Sequence, residues 1–364
     1  MPLKTTAGNY AGEAVKGRGA TINIEGRFET WSREQADDGW FQDPGDDDSR
    51  PKTVIAIEQA KSVISRHNSP DVGFAQSVNP YRGCAHGCTY CFARPTHAYV
   101  GLSPGLDFET RLSAKTNAAQ KLREELGKAG YKCQPLTIGV NTDAYQPIER
   151  QYRVTRSILE VAQEARNPVS LITKSALIER DIDILAPMAQ RGLAHVTLSV
   201  TTLDHEISRR MEPRTSAPAR RLLAIKRLSE AGIPVNVNVA PVIPFLTDSE
   251  LESIMEAAAQ AGAISAGYVL VRLPWEVRPI FKAWLEQHFP LKAAHVMSRI
   301  RDMRGGREND PSFGSRMHGQ GEFGELLRQR YRKGAARFGL DKPFPDLDCE
   351  RFVPPSPVGQ GNLF

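Results

Sequence analysis

The sequence predicts an α/β protein built on a partial (β/α)6 barrel, and three observations predict it. Short apolar, β-branched runs recur from Leu136 onward, segments with helical spacing separate them, and glycines close several of those segments. The runs are Leu136-Thr137-Ile138-Gly139-Val140, Val169-Ser170-Leu171-Ile172, Val196-Thr197-Leu198-Ser199-Val200, Val235-Asn236-Val237-Asn238-Val239 and Tyr268-Val269-Leu270-Val271, and each reads as a strand. Helices are expected over 157–165, 182–190, 219–231 and 249–261. Gly232 and Gly262 end two of them, and Thr247-Asp248-Ser249 offers an N-cap for another. A repeat of about 26 to 39 residues suits a βαβ crossover, and repeated crossovers either close a parallel sheet into a barrel or wind it into an open one. Upstream, Gln76-Ser77-Val78 and a helix over 114–128 complete six units. In either arrangement, ligands sit at the carboxyl ends of the strands.

The 364 residues allow about two domains at roughly 150 residues each, although one α/β barrel absorbs most of that length. Residues 1–70 form a polar N-terminal extension, partly flexible, with an acidic run at Asp46, Asp47 and Asp48 ahead of Arg50-Pro51. Residues 71–280 make the barrel. Residues 281–364 are a basic helical extension, with helices expected over 281–301 and 322–337, packed on the barrel. No run approaches the roughly 18 to 20 apolar residues that cross a bilayer, and the first twenty residues lack the apolar core of a secretory signal. A cytoplasmic protein without membrane contact is the expectation. The balance of 47 basic against 42 acidic residues is too even to imply a nucleic-acid partner by itself.

Five cysteines make an odd number, and three of them crowd into eight residues, which favours a metal site over a disulfide framework. The stretch Asn79-Pro80-Tyr81-Arg82-Gly83-Cys84-Ala85-His86-Gly87-Cys88-Thr89-Tyr90-Cys91 carries them. Three thiolates spaced C-x3-C-x2-C on a loop with Gly83 and Gly87 can wrap one compact soft centre. A four-iron cluster normally takes four cysteines, so three would leave one iron open for another ligand. A structural zinc completed by His86 or His97 is the alternative, but such sites usually draw ligands from two separated pairs. His86 and His97 read more naturally as supporting or packing residues. Cys133 and Cys349 stand alone and read as small buried or surface residues.

The motif C-x3-C-x-aromatic-C at the end of a first strand resembles the radical S-adenosylmethionine (SAM) superfamily. The wording Asn-Pro-Tyr-Arg-Gly-Cys, the run Ala93-Arg94-Pro95-Thr96-His97 and the segment from Leu102 to Thr110 resemble its spore photoproduct lyase-like branch, often labelled a DNA repair photolyase group. The likeness runs from about Lys16 to Leu340. It implies a TIM-like radical SAM barrel, with Cys84, Cys88 and Cys91 holding a [4Fe-4S] cluster as metal ligands and catalytic residues. It further implies SAM on the open iron, reductive cleavage to a 5'-deoxyadenosyl radical, and a reducing donor such as flavodoxin or ferredoxin. The cofactor carries the hard chemistry while the protein orients it and excludes water.

Polar residues at the predicted strand ends are candidates for the cofactor. By the resemblance, Lys174 pairs with the SAM carboxylate, Asp143 or Ser199 binds ribose hydroxyls, and Tyr90 lies near adenine. Thr142 belongs to the same strand-end group, with turn capping as the bland reading. Asn236 and Asn238 share one face of a strand and need partners there, which makes Asn238 a further cofactor candidate. Arg209, Arg210, Arg214, Arg220 and Arg221 fall within 13 residues, and Arg214 is the substrate-binding candidate, against a structural Glu212–Arg214 pair. From Lys292 to Arg337, eleven basic residues face five acidic ones, so Arg299, Arg301, Arg304, Arg307, Arg328, Arg330, Arg332 and Lys333 can track a phosphate backbone.

The chain departs from the lyase in one respect. The lyase uses a cysteine on the second strand's loop as hydrogen-atom donor, and Gly139-Val140-Asn141-Thr142-Asp143 has none. Thymine-dimer repair is therefore disfavoured. The expectation is a radical SAM enzyme acting on nucleic acid, with a protein side chain or small metabolite as alternative substrates. A non-enzymatic iron-sulfur or zinc protein that binds nucleic acid is the reading from another class.

Overall fold

Six strands lie side by side in the order of the chain: β1 (Gln76–Val78), β2 (Leu136–Ile138), β3 (Val169–Thr173), β4 (Ala194–Ser199), β5 (Val235–Val242) and β6 (Ser265–Leu270). All five junctions are parallel. Because the order never reverses there is no switch point, and the open doubly wound alternative falls away in favour of a partial barrel. The short strand Ile64–Arg66 pairs antiparallel with the outer edge of β1. The computed structural model describes residues 15–29 and 52–355; the acidic run at Asp46 to Asp48 and the chain's first 14 residues lie outside them.

Alternation within the strands sorts the two faces. Val235, Val237 and Val239 are fully buried beneath the surrounding helices. Asn236 and Asn238 take the other face, in register with Thr197 and Ser199 of β4, and Gly267 of β6 continues the Asn238 row. The barrel lumen is therefore polar, and the apolar core lies between sheet and helices. Those helices are α1 (Ala118–Leu126), α2 (Val154–Glu164), α3 (Ile182–Ala189), α4 (Pro218–Glu230) and α5 (Leu251–Gln260).

Three elements differ from the sequence expectation. Helix α1 starts at Ala118 because Arg111–Ala114 forms a strand, paired with Val54–Ile57 and with Tyr81–Arg82 in a second, three-stranded sheet. The strand expected from Tyr268 begins at Ser265, where it meets β5. The helix expected over 281–301 is two, α6 (Val277–His288) and α7 (Pro290–Asp302). Pro290 has no N–H to continue the first and occupies the opening turn of the second. Helix α8 (Gly321–Arg337) packs on α5 and on β6, where the Tyr331 hydroxyl donates to the Ala266 carbonyl at 2.7 Å.

The basic extension is mostly spoken for. Arg299 pairs with Asp302, Arg301 with Glu308, Arg328 with Glu325 and Arg330 with Glu252. Arg304 is buried and donates to the Ser315, Arg316 and Val271 carbonyls. The expected phosphate track is thus largely an internal ion-pair network. Among the described residues no helix is long and apolar enough to cross a membrane.

Candidate active site

The three motif cysteines sit at the carboxyl end of β1, where successive turns wind the chain around them. The Gly87 N–H donates to the Cys84 carbonyl, the Cys91 N–H to that of Cys88 and the Arg94 N–H to that of Cys91. Cys84 and Cys88 are buried and Cys91 is half-buried. Two side chains hold the loop in shape. Gln146 accepts from the Ala85 N–H at 2.8 Å and donates to the Gly83 carbonyl at 3.1 Å. Arg94 donates to the carbonyls of Gly87, Cys88, Pro104 and Gly105 and pairs with Glu109, both side chains fully buried. Glu109 in turn accepts from the Gly19 and Ala20 N–H groups at 3.0 and 2.8 Å.

Electrostatically the thiols crowd one another. Burial, then Glu212, pushes the Cys88 thiol well up; Lys174 opposes this, while Cys91 and Cys84 add to it. Burial and Cys84 likewise raise Cys91 against Arg94 and Lys174. A bound cationic iron centre relieves that repulsion, so the donor set fits a cluster. Among the described residues no three His, Cys, Asp or Glu side chains converge on a single ion, whereas a four-iron cluster asks each thiolate for a different iron. His97 donates through Nε2 to the Arg111 carbonyl, 2.9 Å away, and meets Phe108 edge-on.

The strand-end candidates fall into two groups. Tyr90, Lys174, Asp143 and Arg214 surround the cysteine loop. The Lys174 ammonium lies 5.8 Å from the Tyr90 ring centre and forms no salt bridge among the described residues. The Asp143 carboxylate is engaged on every side: it accepts from the Tyr145 and Lys174 N–H groups and the Thr173 hydroxyl, and faces His86 at 3.3 Å. Burial would raise it, yet His86 and these donors hold it at about 2. Burial likewise disfavours the His86 cation, but Asp143 and Cys84 outweigh that and lift it to about 10. The Arg214 N–H donates to the His86 carbonyl, and its guanidinium has no partner among the described residues. Ser199 and Asn238 lie side by side in the lumen, and the Thr142 hydroxyl donates to the Tyr81 carbonyl.

Sequence reading missed the buried carboxylate that ties these groups together. Glu212 does not pair with Arg214. It accepts from the Tyr90 hydroxyl, from Thr201 at 2.7 Å and from Arg221, whose guanidinium also donates to the Ser199 carbonyl. Burial opposes its charge, but Arg221, then Lys174, keeps it ionised. The other arginines of that run are engaged on the surface, Arg220 with Glu179 and Arg209 with Glu206. No local signal marks these contacts: Tyr90 lies 122 residues away, and Arg221 and Thr201, though only 9 and 11 residues off, reach Glu212 from different elements.

A family model described as the radical SAM superfamily matches residues 78–258, the segment that carries the cysteine loop and β2 to β5. An uncharacterized protein of Mycobacterium tuberculosis H37Rv, Rv2578c, is 36% identical over 301 residues, covering 81% of this chain and 84% of that one. The chain belongs to the radical SAM superfamily. As a radical SAM enzyme it uses the family's cofactors, a [4Fe-4S] cluster and SAM. An uncharacterized protein of Methanocaldococcus jannaschii, MJ0683, is 26% identical over 239 residues, 66% of this chain and 85% of that one. Among solved structures, spore photoproduct lyase complexed with a dinucleoside spore photoproduct has the same fold, with a TM-score of 0.55 at 14% identity over 78% of this chain and 79% of the lyase. A lyase variant with bound AdoMet and the same dinucleoside gives the same score and coverage.

Proposed function

We propose that Cys84, Cys88 and Cys91 each ligate one iron of the [4Fe-4S] cluster, and that the substrate of this radical SAM enzyme is nucleic acid. When bound, cluster and SAM supply a 5'-deoxyadenosyl radical that takes a hydrogen atom from the substrate. The protein's part is to position and to exclude water. Arg94, Gln146 and Glu109 fix the cysteine loop. Lys174, which lowers the Cys88 and Cys91 thiols and forms no salt bridge among the described residues, takes the SAM carboxylate, and Tyr90, braced by Glu212, flanks the adenine. Ser199 and Asn238 face the cofactor from the lumen. Asp143 and Thr142, whose polar atoms are already engaged, act by holding strand ends. Arg214 faces the substrate.

The observation that carries the substrate class is a set of exposed aromatic rings around the mouth, each with an arginine against it. Arg272 lies over Phe92 beside Cys91, Arg27 over Trp275 after β6, and Arg299 over Phe245 after β5, at 5.6, 4.2 and 5.8 Å. Phe245 and Trp275 hold φ of 60° and 44°, a strained conformation for a bulky residue, and both remain exposed. Arg27 and Arg299 are already paired with Glu276 and Asp302, so the rings serve as stacking surfaces for bases, and Arg272, which forms no salt bridge among the described residues, is the guanidinium left for a phosphate.

The test is anaerobic reconstitution followed by product analysis. The wild type is expected to be brown and to yield 5'-deoxyadenosine from SAM and a reductant, while Cys88→Ala gives none; a variant still cleaving SAM removes that ligand assignment. Polynucleotide binding should weaken as salt rises, since phosphate contacts release counterions. Binding unchanged between low and high salt would count against the nucleic-acid reading.

A further inference from the structure

The floor of the barrel, at the amino ends of the strands and away from the cysteine loop, is crossed by a belt formed by residues 340–355. The Leu340 and Lys342 carbonyls accept from the Ala266 N–H and the Ser265 hydroxyl at the start of β6, at 3.1 and 3.2 Å. The Phe344 ring then packs against His195 of β4 at 4.3 Å, and the Asp348 N–H donates to the Gly192 carbonyl at 2.9 Å. Beyond that, Phe352 lies 5.2 Å from Tyr131, ahead of β2, and the Val353 N–H donates to the Ala165 carbonyl, ahead of β3, at 2.9 Å. The belt passes beneath β6 and β4 and ends between β3 and β2, spanning a sheet that six strands do not close.

The two cysteines that stand alone in the sequence meet at this belt. We propose that Cys133 and Cys349 form a reversible disulfide that locks the belt across the barrel floor. Cys349 lies between the anchors Asp348 and Phe352; the Phe352 N–H donates to the Cys349 carbonyl at 3.4 Å and the Phe352 ring lies 5.2 Å from Tyr131, two residues before Cys133, which brings the two thiols together. The Cys133 sulfur also lies 3.5 Å from Asn167 Oδ1, so its position is fixed from a second side. Both residues are half-buried, which lets a small oxidant reach them. The cluster thiols sit at the opposite end of the barrel and do not compete for the pairing.

A peroxide is the oxidant this chemistry requires. The Cys349 thiolate attacks the O–O bond, leaving a sulfenic acid while the departing oxygen takes a proton to become water. Cys133 then attacks that sulfur, the S–S bond forms, and the displaced hydroxyl leaves with the Cys133 proton as a second water. Two thiols lose two electrons and the O–O bond gains them. Burial and then the neighbouring Cys349 push the Cys133 thiol up to about 12, which assigns it the second step rather than the first.

The test uses the full chain, treated with a small excess of hydrogen peroxide, alkylated and digested without reductant. The expected result is a Cys133–Cys349 cross-linked peptide that dithiothreitol releases. The oxidised wild type should also melt about 5 °C higher than the reduced form, because a long loop is closed. Cys349→Ser and Cys133→Ser should each lose both effects. Recovery of Cys133 and Cys349 as separately alkylated peptides, or their pairing with Cys84, Cys88 or Cys91, overturns the proposal. A cross-link that leaves the melting temperature unchanged overturns the locking of the belt.

Discussion

Gly19 and Gly87 meet backbone to backbone: a Cβ on Gly19 would fall inside contact distance of the Gly87 carbonyl oxygen. Gly87, at φ 69°, turns the chain between Cys84 and Cys88, and Glu109 grips Gly19 and Ala20 from the other side. Residues 15–29 are therefore a wall of the cysteine loop.

Gly19→Ala should displace that wall. Overpacking of this kind costs roughly 1–3 kcal/mol, and here the strain falls on the loop that holds the cluster. The midpoint of denaturant unfolding should drop, and iron and sulfide retained after reconstitution should drop with it. Gly73→Ala is the control, because a Cβ there meets nothing within 4 Å. If the two variants unfold alike and bind equal iron, the contact is not a structural constraint.

Lys174→Met tests the cofactor contact separately from the cluster. Losing one charge-assisted hydrogen bond is worth roughly 1.5–3 kcal/mol, so KM for SAM should rise about 10- to 100-fold. Iron content should stay at the wild-type level, since Arg94 and Gln146 hold the loop without help from Lys174. Loss of iron in place of a KM effect would make Lys174 a structural residue.

Glu212 and Arg221 form a buried pair, each with almost no exposed side-chain surface. Glu212→Ala strands the Arg221 charge and should cost roughly 3–5 kcal/mol, whereas the double variant Glu212→Ala with Arg221→Met removes both charges and should recover much of that loss. Urea unfolding of both singles and the double closes the cycle. Additive losses would show that the two residues act independently.

What could be read in the sequence was local. The strands of β2 to β5 announce themselves by β-branched alternation, and the cysteine loop by spacing within eight residues. The contacts that shape the site join residues distant in the chain: Tyr90 with Glu212, Gly19 with Gly87, and Arg94 with Glu109 across a loop. Sequence distance alone sets Glu212 beside Arg214, and α4 brings Arg221 there instead. The meeting of Cys133 with Cys349 depends on a belt that crosses the whole floor. The break before Pro290 is concealed in the sequence by apolar periodicity that continues on both sides of it.

His195 gives the belt a signature in pH. Its Nδ1 is buried without a hydrogen-bond partner and its ring lies against Phe344. Burial pushes it down to about 4, against an ordinary value of 6.5 that the unfolded chain retains. Between those two values the unfolded chain binds a proton that the folded one refuses, so stability falls as pH drops through the window from 6.5 to about 4. His195→Gln keeps a comparable volume and removes the titration. Its urea midpoint should decline less than that of the wild type between pH 7 and about pH 5, while carboxylate effects common to both chains cancel in the difference. Parallel declines would mean that the imidazole is solvated in the folded protein and that the belt leaves the floor beneath β4 open to water.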